Sequence, residues 1–313
     1  MTLTILFGGT EAERAEWGPS LAAAIAAQGV DAELVMDPAL ANPEEVDAIL
    51  YNPEGPVEDF APFTRLRAVL SMWAGVEKIV GDPGIKVPLT RLVEPGLTLG
   101  MRDWVAAHVL RRHVGLDRHL AMGPADWPRD HPKLARERKV VMLGLGELGR
   151  PAAEALAGFG FDVTGWSRGP KDVPGIDCLS GPGGLRAALA RAEFLVTLLP
   201  LTAETETLLN AETLALLPRG AEIFNPGRGA LIDDDALLAA LEDGQVGHAT
   251  LDVFRQEPLP ADHPYRTHPR VTVTPHIASA TRASTAAPEL AAQVGRLAAG
   301  APLRHVVDRT RGY

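Results

Sequence analysis

Short apolar runs alternate along this chain with longer stretches in which alanine and leucine recur at helical spacing. Apolar runs of this kind, rich in β-branched residues, are typical of buried strands, and the longer stretches are typical of helices. A regular alternation of the two is the pattern of a parallel sheet with helices on both faces. Because the pattern occurs twice, we predict an α/β protein with two domains.

The first third of the chain predicts a small α/β domain. Apolar runs indicate strands at residues 3–7, 32–36, 48–52, 68–72 and 87–92, and an alanine-rich stretch indicates a helix at residues 14–28. A longer helical pattern at residues 100–120 leads into the stretch GPADWPRDHPK. We expect the chain to cross into the second domain in this region.

The second domain is predicted to contain six strands. They lie in the segments RKVVMLG, DVTGWSR, EFLVTLLP, AEIFNPG, GHATLDVF and RVTVTPHIA. An alanine-rich helix at residues 283–299 and a short tail follow, and we expect both to return to the first domain. The first domain would then be discontinuous, with residues 1–98 and 281–313, and the second would comprise residues 99–280.

A glycine-rich loop follows the first strand of the second domain. In VVMLGLGELGR, Gly144, Gly146 and Gly149 have the GxGxxG spacing, with Glu147 and Leu148 between the last two. In such a loop the first glycine permits the turn, the second lets the backbone approach a pyrophosphate, and the third lets helix and strand pack. The free amides of the helix N-terminus favour a phosphate. This context predicts a dinucleotide-binding domain, and the alternative is a glycine-rich turn without a ligand.

The end of the next strand predicts which dinucleotide is bound. A site for NAD expects an acidic residue there, which binds the ribose hydroxyls. Here Ser167 occupies that place, and the cations Arg168 and Lys171 follow it. Since the carboxylate that repels a 2′-phosphate is replaced by nearby positive charge, we predict a preference for NADPH, with NADH as the second cofactor. The alternative is that both cations are solvated surface residues.

Three polar residues each follow an apolar run, where a strand should end. They are Arg228 in FNPGRG, Glu257 in FRQEPLP and His276 in TPHIAS. Ligands of open parallel sheets bind beyond the carboxyl ends of strands, so these side chains can converge on a nicotinamide ring. Taken singly, each residue also fits an ordinary structural role.

Together the three residues match the needs of 2-oxo acid reduction. The alkoxide that forms needs a proton, which a histidine beside a carboxylate can donate, so we assign His276 as the general acid and Glu257 as its partner. A guanidinium can bind the substrate carboxylate in forked geometry and polarise the carbonyl oxygen, and we assign this role to Arg228. The predicted substrate-binding residues therefore include Arg228 and His276.

In these motifs the chain resembles the D-isomer-specific 2-hydroxyacid dehydrogenases. The glycine loop, NPGRG, DVFRQEPL and PHIA occur in the family's order across nearly the whole length. The stretch WSRGPK and the closing VDRTRGY resemble most the glyoxylate/hydroxypyruvate reductase A group. The resemblance implies reduction of glyoxylate to glycolate and of hydroxypyruvate to glycerate. The predicted fold is then two Rossmann-like domains, a doubly wound dinucleotide-binding domain and a discontinuous flavodoxin-like substrate domain.

The resemblance also implies roles that spacing alone does not assign. Asp252 matches the position that holds the nicotinamide carboxamide, and Pro200 and Thr205 match residues that line the cofactor cleft. The stretch SMWAGV matches the family's substrate loop, whose backbone amides receive the substrate carboxylate. In this chain the loop residues are Trp73, Ala74, Gly75 and Val76.

Two positions depart from the family's pattern. Trp73 stands where smaller residues are common, and its ring would either close the pocket to larger acids or stack over the substrate. Pro226 and Gly227 precede Arg228, so the backbone there can differ from that of relatives. The size of the accepted acid therefore stays open.

Composition limits the remaining classes of function. The net charge of −10 argues against broad contact with nucleic acid or an anionic membrane. The single Cys178 excludes an internal disulfide, and we expect no metal site. The opening residues do not form a signal peptide and no apolar run reaches about 18 residues, so we expect a cytoplasmic protein. The resemblance implies a homodimer in which the helix at residues 100–120 contributes to the contact.

Three other functions share part of this sequence pattern. A reductase or dehydrogenase acting on another 2-oxo or 2-hydroxy acid would use the same residues. A dinucleotide-sensing binding module would share the fold without turnover, and dinucleotide-dependent partner binding would identify it. A methyltransferase would normally have an acidic residue in place of Ser167 and would leave Arg228, Glu257 and His276 unexplained.

Overall fold

The computed structural model describes residues 2–129 and 131–313. Asp130, in the stretch GPADWPRDHPK, lies outside the described residues. The chain divides into two compact units, one formed by the residues up to Leu97 with Thr281–Tyr313, and one formed by Thr98–Ala280. Each unit contains its own parallel sheet.

The strands and helices of the described residues follow one another along the chain in this order: β1 (Leu3–Gly8), α1 (Glu11–Ala27), β2 (Ala32–Val35), β3 (Ala48–Tyr51), β4 (Ala68–Ser71), β5 (Leu89–Thr90), α2 (Pro95–His113), α3 (Leu116–Leu120), β6 (Lys139–Leu143), α4 (Gly149–Gly158), β7 (Asp162–Ser167), β8 (Asp177–Ser180), α5 (Gly181–Leu189), β9 (Phe194–Thr197), α6 (Ala211–Leu214), β10 (Ala221–Asn225), α7 (Asp234–Glu242), β11 (Val246–Leu251), β12 (Val271–Val273) and α8 (Ala283–Ala298).

The first unit is built on a sheet with the strand order β2-β1-β3-β4-β5. This is the flavodoxin-like order of doubly wound folds. The adjacent strands pair in parallel, and β3 and β4 are completely buried, which explains their uninterrupted apolar sequence. The terminal helix α8 packs against α1, so the end of the chain belongs to this unit.

The second unit has the strand order β12-β11-β10-β9-β6-β7-β8 in the part of the chain that the structure describes. All of these neighbours pair in parallel. Two apolar clusters cover the sheet, one around Leu195 and Ile223 and the other around Val140 and Phe224. The order reverses between β6 and β9, which is the point where doubly wound sheets bind their ligands.

The structure confirms the predicted fold class, and it corrects several elements. The strand β8 was not predicted, because its sequence DCLS is partly polar and lies at the sheet edge. The strand predicted at residues 87–92 is reduced to the two residues of β5. The helix predicted at residues 100–120 begins earlier, at Pro95, and is interrupted at Gly115, whose φ of 67° is left-handed.

The early start of α2 has a local cause. The buried carboxylate of Glu94 accepts hydrogen bonds from the amides of Gly96 and Leu97, both at 2.6 Å. A side chain that satisfies the first free amides stabilises a helix start, and Pro95 needs no amide partner at the first helical position.

Candidate active site

The glycine loop connects β6 to α4 and contains two glycines that the fold itself requires. Gly144 has a φ of 104°, and a Cβ there would lie 2.4 Å from the carbonyl oxygen of Leu198. A Cβ at Gly149 would lie 1.9 Å from the carbonyl oxygen of Gly144. Any side chain at these positions would therefore collide with backbone and push helix and strand apart.

Gly146 differs from its two neighbours. Apart from Gly146 itself and its two chain neighbours, no heavy atom of the described residues lies within 4 Å of a Cβ placed on it, so packing within the chain does not explain the glycine. It is exposed, as is Glu147, and it precedes the first turn of α4, whose N-cap residue Leu148 makes no side-chain capping bond. Free amides beside a glycine that leaves room for close approach fit the pyrophosphate of a dinucleotide.

The residues predicted to select the cofactor lie at the end of β7. Ser167 is buried, and its hydroxyl donates a hydrogen bond to the carbonyl oxygen of Gly169 at 2.7 Å. Arg168 is about half exposed, and its Nη1 lies 3.7 Å from Oε2 of Glu204 in the loop after β9. Lys171 is exposed. The local chemistry, a hydroxyl with two cations, fits a 2′-phosphate better than a bare ribose.

The loop after β9 also contains the two residues that the family resemblance assigned to the cofactor cleft. The hydroxyl of Thr205 donates to the carbonyl oxygen of Pro200 at 2.6 Å and accepts from the amide of Thr202 at 2.8 Å. Within the chain, Thr205 therefore holds the turn of this loop.

His276 and Glu257 lie together. Nδ1 of His276 is 2.6 Å from Oε2 of Glu257, and Oε1 of Glu257 accepts a hydrogen bond from the amide of Phe254 at 2.8 Å. The side chains are 53% and 34% exposed, so both can reach a ligand while paired. His276 has a φ of 53°, a left-handed conformation that non-glycine residues seldom adopt outside functional or strained sites.

Asp252 anchors the turn that carries His276. Its carboxylate, completely buried, accepts hydrogen bonds from the hydroxyl of Thr274 at 2.5 Å and from the amides of Ile277 and Ala278 at 3.0 and 2.8 Å. Its carbonyl oxygen accepts from the amide of His276 at 2.8 Å. The contacts within the chain therefore give Asp252 the role of positioning the histidine, and its predicted contact with the nicotinamide carboxamide stays a prediction.

Arg228 follows β10 and is held by residues that the sequence did not single out. The side-chain amide of Asn225 donates to the carbonyl oxygen of Arg228 at 2.9 Å, and its oxygen accepts from Thr197 and from the amide of Gly227. Nη1 of Arg228 donates to the carbonyl oxygen of Gly227 at 2.8 Å. Asn225 is fully buried, which fixes the backbone before the guanidinium.

Gly229 brings the loops of Arg228 and Glu257 together. A Cβ on Gly229 would lie 2.0 Å from the carbonyl carbon of Phe254, whose amide binds Glu257. Only glycine allows this backbone contact between the loops after β10 and β11. The signal was present in the sequence as NPGRG, but a long-range backbone contact cannot be read from one segment.

The predicted substrate loop belongs to the first unit and follows β4. The amide of Trp73 donates to the hydroxyl of Ser71 at 3.0 Å, and its carbonyl oxygen accepts from the amide of Leu92 at 2.9 Å. Nζ of Lys78 lies 5.5 Å from the centre of the Trp73 ring. Ala74 and Gly75 are partly exposed and Val76 is buried. The backbone of Trp73 is thus held at both its amide and its carbonyl group.

The described residues contain neither a metal-ligand cluster nor a helix that could span a membrane. No group of His, Cys, Asp or Glu side chains among them could hold a metal ion. Within the same residues, no helix is long and apolar enough to cross a membrane.

Comparisons with known proteins show the family of this chain. The family model described as D-isomer specific 2-hydroxyacid dehydrogenase, NAD binding domain, matches residues 104–278. The chain is 39% identical over 274 residues to a glyoxylate/hydroxypyruvate reductase A of Serratia proteamaculans, covering 85% of this chain and 87% of the relative. The corresponding reductase of Salmonella typhi is 38% identical over the same length, with the same coverage.

Solved structures give the same result. A D-isomer specific 2-hydroxyacid dehydrogenase of Xanthobacter autotrophicus, in complex with NADPH and MES, superimposes with a TM-score of 0.92 at 40% identity over 100% of both chains. An NADPH-dependent glyoxylate/hydroxypyruvate reductase of Sinorhizobium meliloti, in complex with NADP and sulfate, gives a TM-score of 0.88 at 32% identity, covering 99% of this chain and 100% of that one. The chain therefore belongs to the D-isomer-specific 2-hydroxyacid dehydrogenase family, and it is an NAD(P)-dependent enzyme of that family.

Proposed function

We propose that the protein reduces small 2-oxo acids with NADPH, converting glyoxylate to glycolate and hydroxypyruvate to glycerate. The observation that carries the proposal is the 2.6 Å contact between His276 and Glu257, because it pairs a proton donor with a carboxylate in an exposed position. When bound, NADPH supplies the hydride that reduces the carbonyl carbon. Relatives named for this activity, and neighbours whose structures contain NADPH or NADP, support the same assignment.

Each residue of the set has a proposed task. Glu257 lies against Nδ1 of the imidazole and holds the ring in place, so the other ring nitrogen, Nε2, faces the substrate and donates the proton to the alkoxide. Arg228 binds the substrate carboxylate and polarises the carbonyl oxygen. The backbone amides of Ala74, Gly75 and Val76 are proposed to bind the carboxylate as well, which gives the first unit the role of the substrate-binding domain.

The cofactor is proposed to lie across the second unit, as the dinucleotide-binding domain. Its pyrophosphate would contact the amides around Gly146 and Leu148, and its 2′-phosphate would lie near Ser167, Arg168 and Lys171. Pro200, Thr205 and Asp252 complete the predicted set. We also propose that the protein acts in the cytoplasm as a homodimer, and a light-scattering mass equal to the 33.3 kDa chain would contradict the dimer.

The test is a matrix of substrates and cofactors. Loss of reduced nicotinamide absorbance is followed with glyoxylate, hydroxypyruvate and pyruvate, each with NADPH and with NADH. The proposal predicts the highest kcat/KM for glyoxylate or hydroxypyruvate with NADPH. Turnover confined to another acid would correct the substrate, whereas dinucleotide binding without any turnover would favour a sensing module.

A further inference from the structure

The loop after β9 places two carboxylates beside two different arginines. Oε2 of Glu204 lies 3.7 Å from Nη1 of Arg168, the first of the cations that follow β7. Two residues later, Oε1 of Glu206 lies 3.7 Å from Nη1 of Arg255. Both glutamates thus lie in one loop, and each is 3.7 Å from an arginine. They differ in that only Arg168 belongs to the predicted cofactor site.

The backbone around Glu204 is held in a defined turn. The amides of Thr205 and Glu206 donate to the carbonyl oxygen of Thr202 at 3.0 and 2.9 Å, and the hydroxyl of Thr205 binds the carbonyl oxygen of Pro200. The turn therefore fixes the backbone of Glu204 near Arg168. Its side chain is 75% exposed and that of Arg168 is 48% exposed, so a ligand can replace the contact.

We propose that Glu204 sets the strength of the NADPH preference by competing with the 2′-phosphate for Arg168. This inference rests on the proposed use of NADPH. A phosphate that binds Arg168 must displace the carboxylate or lie beside it, and either event costs free energy through a lost ion pair or through repulsion between like charges. NADH has no 2′-phosphate, so its affinity is not affected. The carboxylate of Glu204 therefore reduces the difference in affinity between NADPH and NADH.

The expected effect is moderate, because the pair is exposed. Contacts of this kind between solvated side chains contribute little, so Glu204→Gln should lower the Kd for NADPH by about two- to fivefold. The amide keeps the size of the side chain and removes its charge. Raising the ionic strength should reduce the gain, since the Debye length falls from about 10 Å at 0.1 M salt to about 3 Å at 1 M salt.

The experiment measures dinucleotide binding to the purified full-length protein by fluorescence titration, without substrate. Wild type, Glu204→Gln and the matched control Glu206→Gln are titrated with NADPH and with NADH. The inference predicts tighter NADPH binding in Glu204→Gln alone and an unchanged Kd for NADH in all three proteins. An unchanged or higher Kd for NADPH in Glu204→Gln, or an equal gain in Glu206→Gln, would overturn it.

A second pair of variants separates this inference from the proposed function. Arg168→Met should weaken NADPH binding, and Glu204→Gln added to Arg168→Met should bring no further gain. If Arg168→Met weakens NADPH binding but Glu204→Gln has no effect, the role of Glu204 is wrong and the cofactor assignment stands. If Arg168→Met leaves NADPH binding unchanged, the cofactor assignment itself fails. A gain that persists without Arg168 would show that Glu204 acts through another group.

Discussion

The substitution Asp252→Asn is expected to destabilise the turn that carries His276. Oδ1 of Asp252 accepts from the hydroxyl of Thr274 and the amide of Ile277, and Oδ2 accepts from the amide of Ala278. The asparagine oxygen can replace Oδ1. The asparagine NH₂ group would then face the amide of Ala278, so two donors would meet in a site that water does not reach.

The size of the effect follows from these contacts. A buried donor left without an acceptor costs about 1–3 kcal/mol, and the two facing donors therefore predict a loss of about 4 kcal/mol in the free energy of unfolding. The control Thr274→Val removes one donor and leaves both amides bound to the carboxylate. Its expected cost is about 1 kcal/mol, because the remaining partners still satisfy Asp252.

The assay is urea unfolding of both variants and wild type, followed by far-UV circular dichroism, together with steady-state kinetics. Asp252→Asn should also lower kcat, because the loop of His276 loses its anchor. A loss in unfolding free energy below about 1 kcal/mol for Asp252→Asn, comparable to a single ordinary hydrogen bond, would show that the carboxylate does not anchor this turn.

Substitutions in the glycine loop, at His248 and at Arg228 have distinct expected effects. Gly146→Ala should keep wild-type thermal stability but raise the Kd for NADPH at least about tenfold. Gly149→Ala should lower the melting temperature, because its Cβ would lie 1.9 Å from a backbone oxygen. Equal melting temperatures for the two variants would contradict this prediction. Burial lowers the pKa of His248 from its usual value to about 4, so the folded protein resists protonation while the unfolded chain accepts it. Stability should therefore fall by up to about 3 kcal/mol as pH decreases from about 6.5 to about 4, and urea unfolding of His248→Gln should show a shallower decline over this window. Arg228→Lys should raise KM for the 2-oxo acid and lower kcat, since an ammonium cannot make the forked contact, and unchanged kinetics would remove Arg228 from the site.

The strands of the second unit could be predicted because most are buried on both faces. Runs such as KVVML in β6 and FLVT in β9 are almost entirely apolar and leave little ambiguity. The edge strand β8 could not be predicted, since it is partly exposed and its sequence carries no periodic signal. The start of α2 could not be predicted from apolar periodicity either. It depends on the hydrogen bonds that two backbone amides donate to the carboxylate of Glu94.

One contact of the candidate site could be predicted from the chemistry of its residues. The sequence predicted that Glu257 is the partner of His276, because both residues follow apolar strands. The structure places the two side chains in contact. The supporting residues were harder to find. Asn225 acts through side-chain hydrogen bonds to Thr197 and to the backbone that follows β10, and Gly229 acts through a backbone contact with Phe254. Glu204 and Arg168 lie close only because the fold brings the ends of β7 and β9 together.

We propose that His276 donates a proton during reduction of a 2-oxo acid, and His276→Asn removes that proton donor. Asparagine tolerates the left-handed backbone at this position, so the turn should persist. With glyoxylate and NADPH, we expect kcat to fall by about 10²–10⁴ while the Kd for NADPH stays close to that of wild type. Unchanged turnover in His276→Asn, with normal NADPH binding, would show that His276 is not the proton donor.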